Sequence, residues 1–555
     1  MKRVNFLLVV IILLAATLRL WGLGSTPPSP DWDEAALAYN AYSIMQTGKD
    51  EYGKFMPVVL QSFDDYKPAL YTYLSIPTVA IFGLSTFAVR LPSAIFGILT
   101  VLAAYFLVQE LFGKRSKAQS SKHVEALSLL TSFLLAISPW HIQLSRVAFE
   151  TNVGLACNIF GTFFFLKGLR KPLWLFMSIL CFAGSLYVYQ SEKVFVPLLG
   201  LALVIIWRRD LFSFPKKYLT SLFLFGIVLL IPMLYFIATD KNALLRAKGV
   251  SIFSESAVVL KSSLVKTLDD ENAHNPLGQL FHNRRLVYAT EMASGYLSHY
   301  DLNWLFVQGD LMRHHPPNMG MLYLWELPFL LLGIYFLIFG HFPIKTKVLI
   351  FGWFLLAPVP ASITTGVPHA VRTLNFLPTF QIFTAIGLVT VYMSVIKSSL
   401  HKVIKWSIIS CFLLFASFNF VYYLDQYFAQ QNYFSSKEWQ YGYEQIMPEL
   451  KAVEGKYSKI VVSSASPLDQ SHMFFLFYLK YPPALYQHEG NLSSGFRENH
   501  RFGKFEFRPI DWKNEEKNPS ILYIGKPEDF PVGVNGVIKE VNYLDGEPAI
   551  RLVEG

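Results

Sequence analysis

The stretch "PSPDWDEAALAYNAY" (28–42) sets Asp31, Asp33 and Glu34 a few residues beyond a long apolar run. Carboxylates placed there can take a proton from a hydroxyl or pair with cations, and cations follow: Lys67 in "YKPALY" and Arg90 before "LPSAIFG". Other ionisable residues gather in short polar segments. These are His141, Arg146 and Glu150 in 138–152, and Glu192 and Lys193 in 187–194. His299 and Asp301 follow in "SHYDLNW", then Asp310, Arg313, His314 and His315 in "GDLMRHHPP", and His369 and Arg372 in "GVPHAVRTL". Ionisable groups at bilayer depth are costly and face a cavity or a partner, so a polar cavity opening toward lipid is their expected host. Each also has a purely structural reading. Asp31 can cap the helix that starts at "EAALAY", and Asp33 and Glu34 can charge its first turn, worth about 0.3–1 kcal/mol. Lys193 and Arg90 can snorkel at helix ends, and two adjacent histidines before two prolines make a poor chelate. Those readings leave unexplained why acids and bases collect on one face.

The elements that must position them are membrane helices. The 555 residues are 53% hydrophobic and 16% charged, too apolar for a soluble chain of this length. The net charge of +9, from 48 Lys and Arg against 39 Asp and Glu, fits basic loops between spans rather than a nucleic-acid partner. Cys157, Cys181 and Cys411 each lie in an apolar run, so neither a structural disulfide nor a zinc-thiolate site is expected. A span needs about 17–25 apolar residues. Eleven candidates follow: 4–21, 91–111, 125–142, 153–169, 174–188, 194–207, 218–238, 321–340, 347–361, 374–396 and 404–424. With the N-terminus cytoplasmic, "MKR", 113–122, 169–172, 207–217, 343–347 and 397–405 fall inside, and all are basic. The apolar segment 68–84 would reverse that order if it crossed, so it is read as an interfacial or re-entrant helix in a first external loop, 22–90. The expected fold is therefore an α-helical polytopic membrane domain (1–424) with juxtamembrane helices in that loop. A small external α/β domain (425–555) follows, with strands at 459–467 and 521–525 around a helix at 470–481.

Taken in order, "DEAALAYNAYSIMQTG", "KPALYTYLSIPTVAIFGLSTFAVRLPSAIFGILTVLAAYFLVQELFG" and "SPWHIQLSRVAFE" resemble the N-terminal half of the membrane-bound C-type glycosyltransferases. The likeness is to bacterial members of the protein O-mannosyltransferase and aminoarabinose transferase group. "GDLMRHHPPNMGMLYLWELPFLLLGIY" and "PHAVRTLNFLP" extend it to about residue 400. The resemblance implies a helical core roofed by the first external loop, in the cell membrane. It implies transfer of a glycosyl group from a polyprenyl-phosphate sugar to an external glycan, lipid or protein acceptor, usually with inversion. By the same resemblance Asp33 stands in the place of the catalytic carboxylate with Glu34 beside it, and Lys67, Arg90 and Arg372 are the cations for the donor phosphate. Arg146, Glu150, Asp65, Glu192 and His369 fall at other positions on the active face. Tyr66 stands where aminoarabinose transferases carry an acid that helps bind metal; Asp64 or Asp65 are the substitutes, which leaves a divalent ion an open question.

Residue chemistry supports the same roles. Displacing a phosphate from an anomeric carbon needs a base for the acceptor's proton, and a carboxylate serves. Preplaced cations stabilise the charge growing on the leaving phosphate, a lysine as a point charge and an arginine as a planar fork. A phosphate leaves without protonation, so no acid catalyst is required. The aromatic-rich 68–84 segment beside Lys67 can wall an apolar groove for the polyprenyl tail. Two other readings remain: a polytopic transporter, which would bring repeated halves and charges at the midplane, and a polyprenyl-lipid-binding protein without catalysis.

Overall fold

The computed structural model describes residues 6–63, 65–113, 121–240, 249–254, 256–489 and 499–555. Asp64, "MKR" and the basic residues 114–117 lie outside the described residues. The chain is mostly helical, with a sheet near its C-terminus. Among the described residues five helices are long and apolar enough to cross a membrane: Thr86–Gly113, Lys216–Thr239, Ile344–Ser362, Leu374–Lys397 and Lys402–Phe434. A sixth is the pair Ser121–Ile137 and Pro139–Ser145, bent by 58°. Pro139 has no N–H for the preceding turn and disfavours helical backbone at the residue before it. Ser138 caps the second piece through His141.

Shorter apolar helices, Phe6–Leu20, Leu70–Phe82, Trp174–Leu186 and Glu326–Phe339, pack among them together with Thr151–Gly168 and Glu192–Ile206. The Leu70–Phe82 helix, within the segment expected to lie at the interface, has 13 residues. At 1.5 Å per residue it is about 20 Å long, short of the roughly 30 Å hydrocarbon core. The helix expected to end at 424 runs on through a wide turn, Gln426–Gln430, to Phe434. Its Leu414, Phe418 and Val421 are exposed, as suits a helix facing lipid.

Two structural features set the first loop. The Trp32–Thr47 helix begins in a capping box: Asp31 accepts from the Glu34 N–H at 2.8 Å and Glu34 accepts from the Asp31 N–H at 3.4 Å. It ends at Gly48, whose φ of 71° is left-handed, a backbone that glycine enters without steric cost. A hairpin follows, Val59–Ser62 against Asp65–Pro68, pairing Leu60 with Lys67.

The C-terminal sheet has six strands in the spatial order His500–Phe502, Phe505–Phe507, Lys459–Val462, Ile521–Gly525, Pro548–Glu554, Val537–Asn542. Lys459–Val462 runs parallel to both of its neighbours, and the other pairings are antiparallel. Lys459–Val462 is shorter than the 459–467 expected, although the Ser463 N–H just beyond it still donates to the Ile524 carbonyl at 2.7 Å. The helix expected at 470–481 spans Ser471–Leu479. Its Met473, Phe474 and Phe475 share one apolar core with Ala35, Tyr39 and Tyr71 of the first loop. Tyr39 donates to the Tyr481 carbonyl at 3.0 Å, and Gln487 donates to Ser43, Thr47 and the Asp50 carbonyl. The tail thus packs directly on the loop that carries Asp33.

Candidate active site

Asp33 sits on the first turn of the Trp32–Thr47 helix, one third exposed, and takes cations from two distant segments. Lys67, presented by the hairpin, donates to its Oδ1. Arg313 donates to its Oδ2 at 3.2 Å and to Asp31 Oδ2 through Nε at 2.9 Å, with Nη2 2.6 Å from that same oxygen. Its guanidinium lies 4.5 Å from the Trp32 ring centre, a cation–π contact. Burial works against the Arg313 charge, but the carboxylates of Asp31 and Asp33 hold its pKa above the ordinary value. The result is one accessible carboxylate between two positive donors.

Glu34 is built differently. Its carboxylate is 1% exposed and takes a two-point fork from Arg90, at 2.9 Å from Nε and 2.8 Å from Nη2. The Ala148 N–H adds a third bond at 2.8 Å. Burial lifts Glu34 above the usual carboxylate range, while the Arg90 charge and hydrogen bonds pull the other way. Arg90, fully buried, also donates to the carbonyls of Leu23, Pro27 and Ser29. Its donors are spent inside the protein, and no face of it is turned to a donor phosphate as the sequence suggests. Arg146 is enclosed in the same way, donating to Tyr427 Oη at 3.1 Å and to the carbonyls of Leu18, Gly22 and Thr26. Both arginines clamp the chain where it leaves the first helix, and so fix the start of the loop that carries Asp33.

The remaining sequence candidates separate into groups. Glu192 is buried in a hydrogen-bonded knot with Asn158 at 2.6 Å, Asn375 at 2.7 Å and Ser185 at 3.2 Å. Glu150 is buried at the start of the Thr151–Gly168 helix and makes no side-chain cap there. Arg372 donates to Thr364 Oγ1 at 2.7 Å and to the Thr365 carbonyl at 2.6 Å, and its N–H reaches His369 Nδ1 at 3.5 Å. Of the two carboxylates considered for a metal, Asp64 lies outside the described residues, and Asp65 opens the second hairpin strand. Another set, Asp310, His314 and His369, brings one ligand atom from each residue within 4.8 Å of the others. Burial raises Asp310, but His314, His369 and the Ala370 N–H outweigh it and hold the carboxyl at about 2. Burial and then the Arg372 charge keep His369 well below its ordinary value.

Arg313 is the residue that sequence reasoning leaves without a role. "GDLMRHHPP" marks it as one of several polar residues, but its contact with Asp33 spans 280 positions and no local pattern announces it.

Residues 66–236 match the family described as Dolichyl-phosphate-mannose-protein mannosyltransferase. That stretch opens at the residue before Lys67 and takes in Arg90, Arg146, Glu150 and Glu192. No curated protein sequence matches the chain. Among solved structures, ArnT from Cupriavidus metallidurans bound to undecaprenyl phosphate superposes with a TM-score of 0.51 at 12% identity, covering 98% of this chain and 97% of that one. The fold is ArnT-like. The apo form of ArnT gives a TM-score of 0.50 at 12% identity with the same coverage. Archaeoglobus fulgidus AglB, an oligosaccharyltransferase in complex with an inhibitory peptide and a dolichol-phosphate, gives 0.47 at 11% identity; the match covers 85% of this chain and spans 63% of AglB's length. The ArnT match extends over nearly the whole chain, the C-terminal sheet included.

Proposed function

We propose that the protein is a membrane glycosyltransferase that moves a sugar from a polyprenyl-phosphate carrier to a hydroxyl acceptor on the external face, inverting the anomeric carbon. The observation that carries this reading is the shared carboxylate: Asp33, still accessible, lies between Lys67 and Arg313. The match of 66–236 to a mannosyltransferase family supports it, as does the likeness to ArnT, which was solved with undecaprenyl phosphate.

Before the donor arrives, Lys67 and Arg313 both pair with Asp33. A phosphate between them takes over part of their hydrogen bonding, since both can serve two anions, and frees the carboxylate to face the acceptor. The acceptor oxygen attacks the anomeric carbon, and Asp33 takes its proton. The bond from that carbon to the phosphate oxygen breaks, and the electron pair leaves with the phosphate. Lys67 and Arg313 stabilise the added negative charge more than the ground state, which lowers the barrier. One displacement inverts the centre. Glu34 and Arg90 do no chemistry in this scheme; they hold Asp33 at its place.

The lipid tail has a complementary surface. An apolar groove of about 420 Å³ is lined by Pro57, Leu70, Tyr73, Tyr187, Leu229 and Pro232. Leu70 lies three residues beyond Lys67, so a headgroup at Lys67 leads an isoprenoid chain toward it. We assign eleven spans in all, the six above with Phe6–Leu20, Thr151–Gly168, Trp174–Leu186, Glu192–Ile206 and Glu326–Phe339, and Leu70–Phe82 left at the interface; the N-terminus is cytoplasmic and the C-terminal domain (425–555) outside. The basic segments between the spans support that orientation.

Sugar transfer from a lipid-linked donor, measured beside donor binding, tests the reading. Asp33→Asn should lose about 10²–10⁴-fold in turnover, the range a positioned base supplies, and still bind the lipid. Turnover equal to the wild type would remove Asp33 from the chemistry.

A further inference from the structure

The loop 309–317 does more than present Arg313. Asp310 and His314 stand four positions apart on it, and His369 reaches them from the loop 366–373. Their ligand atoms lie within 4.8 Å of one another, and the His314 and His369 rings are 4.9 Å apart. Two imidazoles with one carboxylate are a familiar donor set for zinc, which leaves a fourth position open. Zinc bonds of about 2.1 Å put neighbouring ligand atoms roughly 3.4 Å apart in a tetrahedron, so side-chain movements of about an ångström complete the site.

The surroundings already orient the ligands. Asp310 Oδ1 accepts from the Leu311 N–H at 2.8 Å, and Oδ2 accepts from the Ala370 N–H at 2.6 Å, which joins the two loops. The Arg372 backbone N–H donates to His369 Nδ1 at 3.5 Å. The Phe149 ring meets His314 edge to face at 5.6 Å. Outer contacts of this kind fix ring orientation at metal centres.

We propose that Asp310, His314 and His369 bind one divalent cation of the zinc class, and that this ion clamps the loop 309–317 to the loop 366–373. His314 follows Arg313 directly, so the clamp sets where the guanidinium meets Asp31 and Asp33. That positioning role rests on the transferase reading, but binding of the ion does not.

The test uses the full-length protein in detergent, stripped with a chelator and titrated with zinc alone. One zinc should be retained per chain after desalting, and it should raise the thermal unfolding temperature. His369→Ala and Asp310→Asn should each weaken zinc binding by at least about tenfold, since even outer-shell changes cost 10–100-fold, and should lose the thermal shift. X-ray absorption of the zinc-loaded wild type needs no variant, and should show imidazole and oxygen ligation without sulfur. A wild type that retains no zinc, variants that bind it as tightly, or sulfur ligation from Cys157, Cys181 or Cys411 would each overturn the site. Zinc bound as expected but no sugar transferred would instead count against the transferase reading alone.

Discussion

Asp33 and Glu34 are adjacent in sequence and identical in charge, yet the fold gives them opposite environments. Glu34 is sealed against Arg90 with its oxygens saturated by a planar fork and the Ala148 N–H. Asp33, on the same helical turn, stays one third exposed and shares two cations that come from separate loops. A saturated, enclosed pair is a brace, because any movement strands a charge away from water. An accessible carboxylate with exchangeable partners can change its contacts as substrate arrives. The difference shows how a single "DE" supplies both the support and the reactive group.

The largest effect expected from breaking this contrast is on the brace. Arg90→Met leaves Glu34 buried without its partner, which costs about 3–5 kcal/mol. It should appear as a large drop in thermal stability in detergent. Adding Glu34→Gln to Arg90→Met removes the stranded charge and should recover part of the loss, which a double-mutant cycle reads directly. If Arg90→Met abolished transfer while leaving stability intact, the buried pair would hold the chemistry and the contrast would be reversed.

A smaller effect is expected on the open side. Arg313→Lys keeps the charge but loses the fork that reaches Asp31 and Asp33 together and contacts the Trp32 ring. Hydrogen bonds to charged groups are worth about 1.5–3 kcal/mol, so transfer efficiency should fall roughly 10–100-fold with little change in unfolding temperature. Loss of stability without loss of efficiency would make Arg313 a second brace.

How far the sequence reveals this arrangement depends on how local each part is. The capping start at Asp31 and the acid pair can be read from a few adjacent residues, because a helix N-terminus is a local structure. The apolar runs show a membrane protein, and "KIVV" and "ILYIG" show strands in the tail. The roles of Arg90 and Arg313 cannot be read this way. Both are arginines near helix or loop ends, and only the folded chain shows that Arg90 meets a buried acid 56 positions away while Arg313 meets an open one. The same holds for "RHHPP", which reads as an ordinary loop until His369 arrives from a distant segment. The packing of the tail on the first loop is equally hidden, since Phe474 and Tyr39 carry no pairing signal.

The smallest expected effect separates the two duties of Asp31, which joins the brace to the open site. Its Oδ1 caps the helix through the Glu34 N–H, and its Oδ2 accepts from Arg313. Asn at this position keeps a capping oxygen and loses the charge, whereas Ala loses both. Asp31→Ala should therefore cost about 0.5–2 kcal/mol of stability, while Asp31→Asn should hold the unfolding temperature near that of the wild type. Both should loosen Arg313 and lower transfer efficiency to a similar, modest extent. The comparison of thermal unfolding with steady-state kinetics decides it: if Asn is as destabilising as Ala, the ion pair and not the cap secures the start of this helix, and the border between support and reactive group lies at Asp31 rather than between residues 33 and 34.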